Sequence, residues 1–356
     1  MSRNDDLGYP IVVAPSIRSH LRRFITERYG EFVVLCDRNL AATADRLTRG
    51  IRGKLGLMPF DLGEKRKRLI TVERVLDALT GSGAQRATTV VGVGGGVAAD
   101  VFGLAASLYM RGIAYVGVAT SLVAMVDGAI GGKTAVNLQR GKNLAGTFAD
   151  PRAVFCHVDA LQMLPYRRLR DGLAEIVKAA ILEGGEFFDL LEHFAAHRFP
   201  LWPWEQIVEE AIKVKTMLVG DDRLETGARE ALNLGHTFAH AIERASRYRI
   251  SHGAAVAVGL RTAGLLSLAT GRFSRADHAR VLTLLALLGL PLRAPALRPT
   301  DILTAMEVDK KRRDGRLRFV LPLAIGDVEP GVEVPTRALR RAVEACVTQP
   351  TQREFV

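Results

Sequence analysis

The sequence predicts an α/β domain on a mainly parallel sheet, followed by a largely helical domain. Three observations carry this reading. The first half alternates short β-rich runs with helical patterns. After about LPYRRLR the runs turn helical almost throughout. The 356 residues suffice for two cores of ordinary size.

Taken in order, YPIVVAP, EFVVLCD, TTVVGVGGG, AYVGVAT and AVFCHVD read as strands, each closed by Gly, Pro, Asp or Thr. Helical stretches between them, such as VAADVFGLAASLYM, imply crossover connections and therefore parallel pairing. From there AEIVKAAILEGGEFFDLLEHF, WEQIVEEAIKVKTMLV, HTFAHAIERAS, HGAAVAVGLRTAGLLSLAT and ADHARVLTLLALLGL follow a helical period, and only RLRFVLPLAI reads as a strand. The expected division is residues 1–160 and 161–356, with no internal repeat.

Composition narrows the function classes. With 48% apolar and 24% charged residues the chain reads as soluble and globular. No apolar run looks long enough to span a bilayer, and MSRNDDLGYP lacks a signal-peptide core. Three scattered cysteines argue against a disulfide framework and fit a reducing cytoplasm. The net charge of +11 would suit a nucleic-acid partner, but the basic residues are dispersed and aromatics make up only 6%. Anionic small molecules fit better. Only 10 of the 49 basic residues are lysine. Where arginine is so favoured, lysine should persist where a compact, rotatable ammonium is required. That singles out Lys54, Lys65, Lys67, Lys133, Lys142, Lys178, Lys213, Lys215, Lys310 and Lys311 as site candidates.

Four stretches carry chemistry. GVGGGVAAD (92–100) follows a strand and opens a helix, where bare backbone N–H groups receive a phosphate, although Val97 occupies the last glycine position of the dinucleotide pattern. Asp37 closes an earlier strand and suits either a ribose or a helix N-cap. VDGAIGGKTAVNLQRGKN (126–143) reads as a phosphate- or carboxylate-binding loop holding Asp127, Lys133, Asn137, Lys142 and Asn143. GLAEIVKAA puts Glu175 and Lys178 on one face of an apolar helix, as an ion pair or as part of a site. His236, His240 and His252 add imidazoles, and one carboxylate with two imidazoles forms a catalytic zinc set. The spacing alone leaves open which two histidines serve.

In order and spacing, GGGVAADVFGLAASLYMRG, VDGAIGGKTAVN, RGKNLAGTF, LPYRRLRDGLAEIVK, ALNLGHTFAHAIE, HGAAVAVG and DKKRRDGRLRFVLP resemble the motifs of the 3-dehydroquinate synthases, members of the sugar phosphate cyclases. The resemblance runs from about residue 30 to about 326. It implies a Rossmann-like NAD-binding domain, a helical metal- and substrate-binding domain, and an active site in the cleft between them. The family's zinc ligands fall on Glu175, His236 and His252, while His240 falls on a substrate contact. Other implied substrate contacts are Asp127, Lys133, Asn143, Lys178, Lys215, Arg229, Asn233 and one of Lys310 and Lys311. Arg111 matches an arginine that reaches a neighbouring subunit's site, which implies a homodimer. Implied NAD positions are Asp37, Asn39, Glu64, Lys67, Gly94, Gly95, Gly96, Asp100, Thr120, Ser121 and Lys142.

The implied reaction turns 3-deoxy-D-arabino-heptulosonate 7-phosphate into 3-dehydroquinate and phosphate, with NAD regenerated each turnover and Zn2+ or Co2+ as Lewis acid. Four positions depart from the family pattern: Ala99 for a glycine, Ser121 for a threonine, Met163 for a threonine and Ala254 for a glutamate. The alternatives are a sister cyclase making an amino, valiolone-type or deoxy-inosose product, a metal-dependent polyol dehydrogenase, and a basic binding protein. Arg229, Asn233 and Lys215 favour a carboxylate-bearing substrate.

Overall fold

The computed structural model describes residues 7–139, 141–222, 227–312 and 316–355, without the side chains of 200, 308–312 and 353. The chain forms two compact units, Met1–Pro165 with Trp204–Thr216, and Tyr166–Pro203 with Met217–Val356. Against a single division at 160, the first unit runs on to Pro165 and regains a helical segment at 204. The buried Lys215 of that segment pairs with Asp127 of the first unit.

Unit one contains β1 (Ile11–Ala14), α1 (Arg18–Arg28), β2 (Phe32–Asp37), α2 (Ala41–Thr48), β3 (Lys54–Phe60), α3 (Leu69–Gly81), β4 (Thr89–Gly94), α4 (Gly96–Leu108), β5 (Tyr115–Ala119), β6 (Lys133–Leu138), β7 (Gly141–Phe148) and β8 (Ala153–His157). Six strands form one sheet in the order β1-β8-β5-β4-β2-β3, every neighbour pair parallel. All five expected strands lie in it. The sixth, β3 (KLGLMPF), escapes the pattern because Gly56 and Pro59 interrupt it. It pairs on one side only, with β2, and an edge tolerates proline.

Alternation along β2 sends Val34 and Cys36 into one core with Leu21 and Phe24 of α1 and Leu47 of α2. Val33 and Leu35 enter the other core, with Val75 of α3 and Phe102 of α4. Helices α2 and α4 thus cover opposite faces. The C-terminal ends of β2 and β4 therefore flank a topological switch point, the place where such sheets bind ligands.

The stretch 126–143 is not the loop expected from its glycines. A π-helical turn (Ala124–Gly128) leads into an antiparallel β6–β7 hairpin. The KTAVNL run buries Thr134 and Val136 and leaves Lys133, Ala135 and Asn137 more exposed, which is strand alternation.

Unit two contains α5 (Tyr166–Glu183), α6 (Gly185–Ala195), the last part of α7 (Trp204–Asp221), α8 (His236–Ala245), α9 (His252–Ala269), α10 (Arg275–Leu287), α11 (Pro299–Arg312), β9 (Phe319–Ala324), β10 (Asp327–Val332) and α12 (Thr336–Ala345). The expected strand is β9, paired antiparallel with β10. Helix α9 corrects one expectation: its 18 residues, mean hydropathy 1.2, are long and apolar enough to cross a membrane. The cause is internal, since 72% of it is buried within the fold and a core helix is apolar all round.

Candidate active site

Two helix crossings bring three potential ligands together in unit two. Glu175 lies in the middle of α5, and His236 and His252 are the first residues of α8 and α9. At Gly253 the start of α9 meets the α5 backbone: a Cβ there would stand 2.2 Å from the Asp171 carbonyl oxygen. Ser251 Oγ donates to Asp171 Oδ1 at 2.6 Å and pins the same corner. Glu175, one turn beyond Asp171, consequently faces His252. At the second crossing, a Cβ on Gly259 of α9 would stand 2.2 Å from the carbonyl oxygen of Gly235, which adopts φ +75°. A side chain at either glycine would push the helices apart.

The cluster so formed holds one carboxylate and two imidazoles. Glu175 Oε1 lies 3.0 Å from His252 Nε2 and 3.5 Å from His236 Nε2, while Oε2 lies 2.6 Å from Lys178 Nζ. One potential ligand atom from each of the three residues falls within 4.8 Å of the others. His236 turns Nε2 inward because its Nδ1 lies 3.1 Å from the Leu234 carbonyl, which accepts the ring proton. On the far edge of the His252 ring, Nδ1 is 3.6 Å from Glu243 Oε2. Burial alone would raise the Glu175 pKa, but Lys178 and His236 hold it well below the usual carboxylate range. Burial would lower the His252 pKa, and the Glu175 and Glu243 carboxylates outweigh it and raise it to about 10. This oxygen and two nitrogens suit a divalent metal with an open position for substrate. One Glu175 oxygen thus meets the lysine and the other meets the histidines.

His240, one turn along α8, is exposed although its ring centroid lies 5.6 Å from that of His236. Arg229 and Asn233 lie in a 3-10 turn (Ala228–Asn233) just before α8, with Arg229 buried and its backbone N–H donating to Asp222. The side chains of Lys310 and Lys311 lie outside the described residues. Ala254, in the first turn of α9, brings no carboxylate to the metal cluster.

The switch point of unit one presents the expected glycine turn. β4 ends at Gly94, Gly95 caps, and α4 starts at Gly96. A Cβ on Gly94 would stand 2.3 Å from the Ala98 Cβ and 3.9 Å from the Asp37 Cβ, so the ends of β2 and β4 abut. A Cβ on Gly95 would come 3.0 Å from Ser121 Oγ, and one on Gly96 would meet nothing within 4 Å. That open approach to a helix N-terminus fits a dinucleotide phosphate. Asp37 Oδ1 accepts from the Asn39 backbone N–H at 3.2 Å, which makes it an N-cap. Thr120 is buried and its N–H donates to Gly94. Ala99 lies in the first turn of α4, and Met163 is 65% exposed.

Beside the turn, one network joins expected cofactor and substrate residues. Lys67 Nζ lies 2.5 Å from Asp100 Oδ2 and donates to Asn143 Oδ1 at 2.6 Å. Asn137 Oδ1 accepts from the Asn143 N–H, and Asn137 Nδ2 donates to Glu64 Oε1, which Lys142 Nζ approaches to 3.4 Å. Burial raises the Asp100 pKa against the pull of Lys67. Asn143 sits at φ +52°, a strained posture held by these bonds. Nearby in sequence, Asp127 Oδ1 ion-pairs with the buried Lys215, whose Nζ also donates to the Asp127 carbonyl. Lys133 opens β6 with an exposed side chain. Arg111 is exposed at φ +66°, directly after Met110 at φ +48°.

Sequence reasoning missed Asp171, Ser251 and Glu243. Glu243 left a trace, a glutamate seven residues after His236 and three after His240 and so on their face of the helix.

Residues 57–171 match the family described as 3-dehydroquinate synthase N-terminal, and residues 172–312 match 3-dehydroquinate synthase C-terminal. The 3-dehydroquinate synthase of Acidithiobacillus ferrooxidans is 41% identical over 351 residues, 96% of each chain. Among solved structures, 2-epi-5-epi-valiolone synthase from Streptomyces hygroscopicus, with NAD+ and Zn2+ bound, is 30% identical with a TM-score of 0.85 over 95% of each chain. A 2-deoxy-scyllo-inosose synthase complexed with carbaglucose-6-phosphate, NAD+ and Co2+ is 25% identical with a TM-score of 0.83, over 94% of this chain and 95% of that one.

Proposed function

Since the chain belongs to the 3-dehydroquinate synthase family, we propose that it converts 3-deoxy-D-arabino-heptulosonate 7-phosphate into 3-dehydroquinate and phosphate. One observation carries this reading: the two family matches meet at residues 171 and 172 and together span 57–312, which takes in the glycine turn, the 126–143 stretch, Glu175, Lys178 and all three histidines. When bound, NAD accepts and returns a hydride within one turnover while a divalent metal polarises the hydroxyl being oxidised. The net change is loss of phosphate with ring closure, without net oxidation.

In this reading Glu175, His236 and His252 hold the metal, with Zn2+ first and Co2+ second. The switch-point residues Asp37, Asn39, Gly94, Gly95, Gly96, Thr120 and Ser121, with Glu64, Lys67, Asp100 and Lys142, hold NAD. Arg229, Asn233 and Lys215 take the substrate carboxylate. Asp127, Lys133, Asn143, Lys178, His240 and one of Lys310 and Lys311 take its phosphate and hydroxyls. Lysines 67, 178 and 215 are each already paired with a carboxylate. Such pairing fixes the ammonium positions before an anion arrives, so little ordering is left for the binding step. A homodimer to which Arg111 contributes across subunits, and a cytoplasmic location, complete the reading.

The test is phosphate release from the heptulosonate 7-phosphate with NAD and Zn2+, the product identified by mass. Turnover of sedoheptulose 7-phosphate or glucose 6-phosphate in its place would make the chain a sister cyclase. Net formation of NADH would make it a dehydrogenase.

A further inference from the structure

Glu175 does two opposing things to His252. As a metal ligand it must stand beside the ring, but its Oε1, 3.0 Å from Nε2, is also an acceptor that attracts a proton to that nitrogen. An imidazole that binds a metal is neutral and keeps one ring proton, and a protonated Nε2 has no lone pair for the metal. His236 faces the same conflict more weakly. Its Nε2 is 3.5 Å from Glu175, and the Leu234 carbonyl already holds the proton on Nδ1. His252 has a stronger competitor on one edge and so requires a stronger one on the other.

We infer that Glu243 is the positioning residue that keeps the His252 ring proton on Nδ1 and so leaves Nε2 free for the metal. The inference rests on the metal site proposed above and adds a member to it. Glu243 Oε2 lies 3.6 Å from Nδ1, on the opposite edge of the ring from Glu175. That is longer than a formed hydrogen bond, but the Glu243 residue is only 3% exposed, and a carboxylate charge in such surroundings biases the proton without contact. The fold delivers it by helical repetition. His236, His240 and Glu243 stand at i, i+4 and i+7 on α8, on one face. That single face therefore supplies a ligand, a substrate-facing imidazole and the carboxylate behind the other ligand. The position following Gly253 is Ala254, so the first turn of α9 adds no carboxylate of its own beside His252.

The experiment measures Zn2+ affinity of the full chain by competition with a chromophoric chelator, together with the visible spectrum of the Co2+ form and the melting temperature without metal. Wild type and His252→Ala establish the metal site. Against these, Glu243→Ala should weaken Zn2+ binding by about 10- to 100-fold. Glu243→Gln, which keeps the shape but not the charge, should fall between and shift the Co2+ bands, with its metal-free melting temperature that of wild type. Wild-type affinity and spectrum in both variants would overturn the inference and leave the metal site standing. Full recovery of affinity and spectrum in Glu243→Gln would also overturn it, since shape alone would then suffice. Failure of wild type to bind Zn2+ would overturn the metal site and this inference together.

Discussion

His236 and His240 stand one turn apart on α8, yet only His236 meets Glu175, at 3.5 Å, while His240 is exposed. His240→Ala should therefore keep a bound Zn2+ and lose turnover, whereas His236→Ala and His252→Ala should lose the metal. Metal content after dialysis decides it, and zinc loss confined to His240→Ala would refute the assignment. A fourth histidine carries a different consequence. His278 is 1% exposed on α10, against Gly264 of α9, and neither ring nitrogen makes a hydrogen bond among the described residues. Burial lowers its pKa to about 4, with Glu354 opposing the shift and Arg261 adding to it. Well above pH 6.5 the ring is neutral folded or unfolded and adds no pH dependence. As pH falls from 6.5 towards 4 only the unfolded chain takes the proton, so stability drains away across that window, by about 3 kcal/mol in all. His278→Leu should flatten the difference in urea midpoint between pH 7.5 and pH 4.5, and an unchanged pH slope would refute this. At this scale the sequence pointed to the Glu175, His236 and His252 cluster only through family likeness, because a spacing of four tells which residues share a face and not what meets that face. Glu243 went unseen for the same reason: its partner arrives from another helix.

Among elements, alternation and helical period were enough for the central strands and the long helices, and glycine was where they misled. In 126–143 the glycines suggested a loop, but two of them, Gly131 and Gly132 at φ +91° and +67°, form the turn that feeds β6, and Gly146 lies within β7, where a Cβ would stand 2.1 Å from the Thr134 carbonyl oxygen. Gly146 permits close strand pairing, and the other two permit the turn. The same close approach sets the metal cluster, where Gly253 lets α9 begin against α5. Gly253→Ala should part those two helices, cost about 1–3 kcal/mol of stability and weaken metal binding along with it. Gly96→Ala makes the contrast, since its Cβ meets nothing within the protein. That variant should melt with wild type and bind NAD more weakly by calorimetry, its methyl standing where the dinucleotide phosphate would approach. Equal metal affinity in Gly253→Ala and wild type would show that the crossing does not position His252.

Across the whole molecule the buried cations sort the site from the scaffold. The buried lysines and arginines among the described residues are Lys67, Lys178, Lys215, Arg229 and Arg261. The first four are the ones proposed for the site, and the lysines stood out in the sequence because so few exist in an arginine-rich chain. Arg261 was not legible, because it lies mid-helix in an apolar run and its partners are distant in sequence. Its Nε and Nη2 donate to the two oxygens of Glu354 at 2.9 and 3.1 Å, and Nη1 donates to the carbonyls of Leu292, Ala345 and Thr348. Glu354 in turn accepts from the Thr351 N–H in a capping box, so the chain's last turn is folded around the carboxylate that the arginine needs. The C-terminal segment is thus tied to α9, the helix whose first residue is His252. Removing one partner of a buried pair strands the other charge, at a cost of about 3–5 kcal/mol. Glu354→Ala should lower the urea midpoint accordingly, and truncation after Pro350 should cost as much, because both remove the same carboxylate. Glu354→Gln, which keeps acceptors but not charge, should lose less. If truncation leaves the midpoint where it was, Arg261 draws its compensation from the three carbonyls alone, and the C-terminal turn is dispensable to the fold.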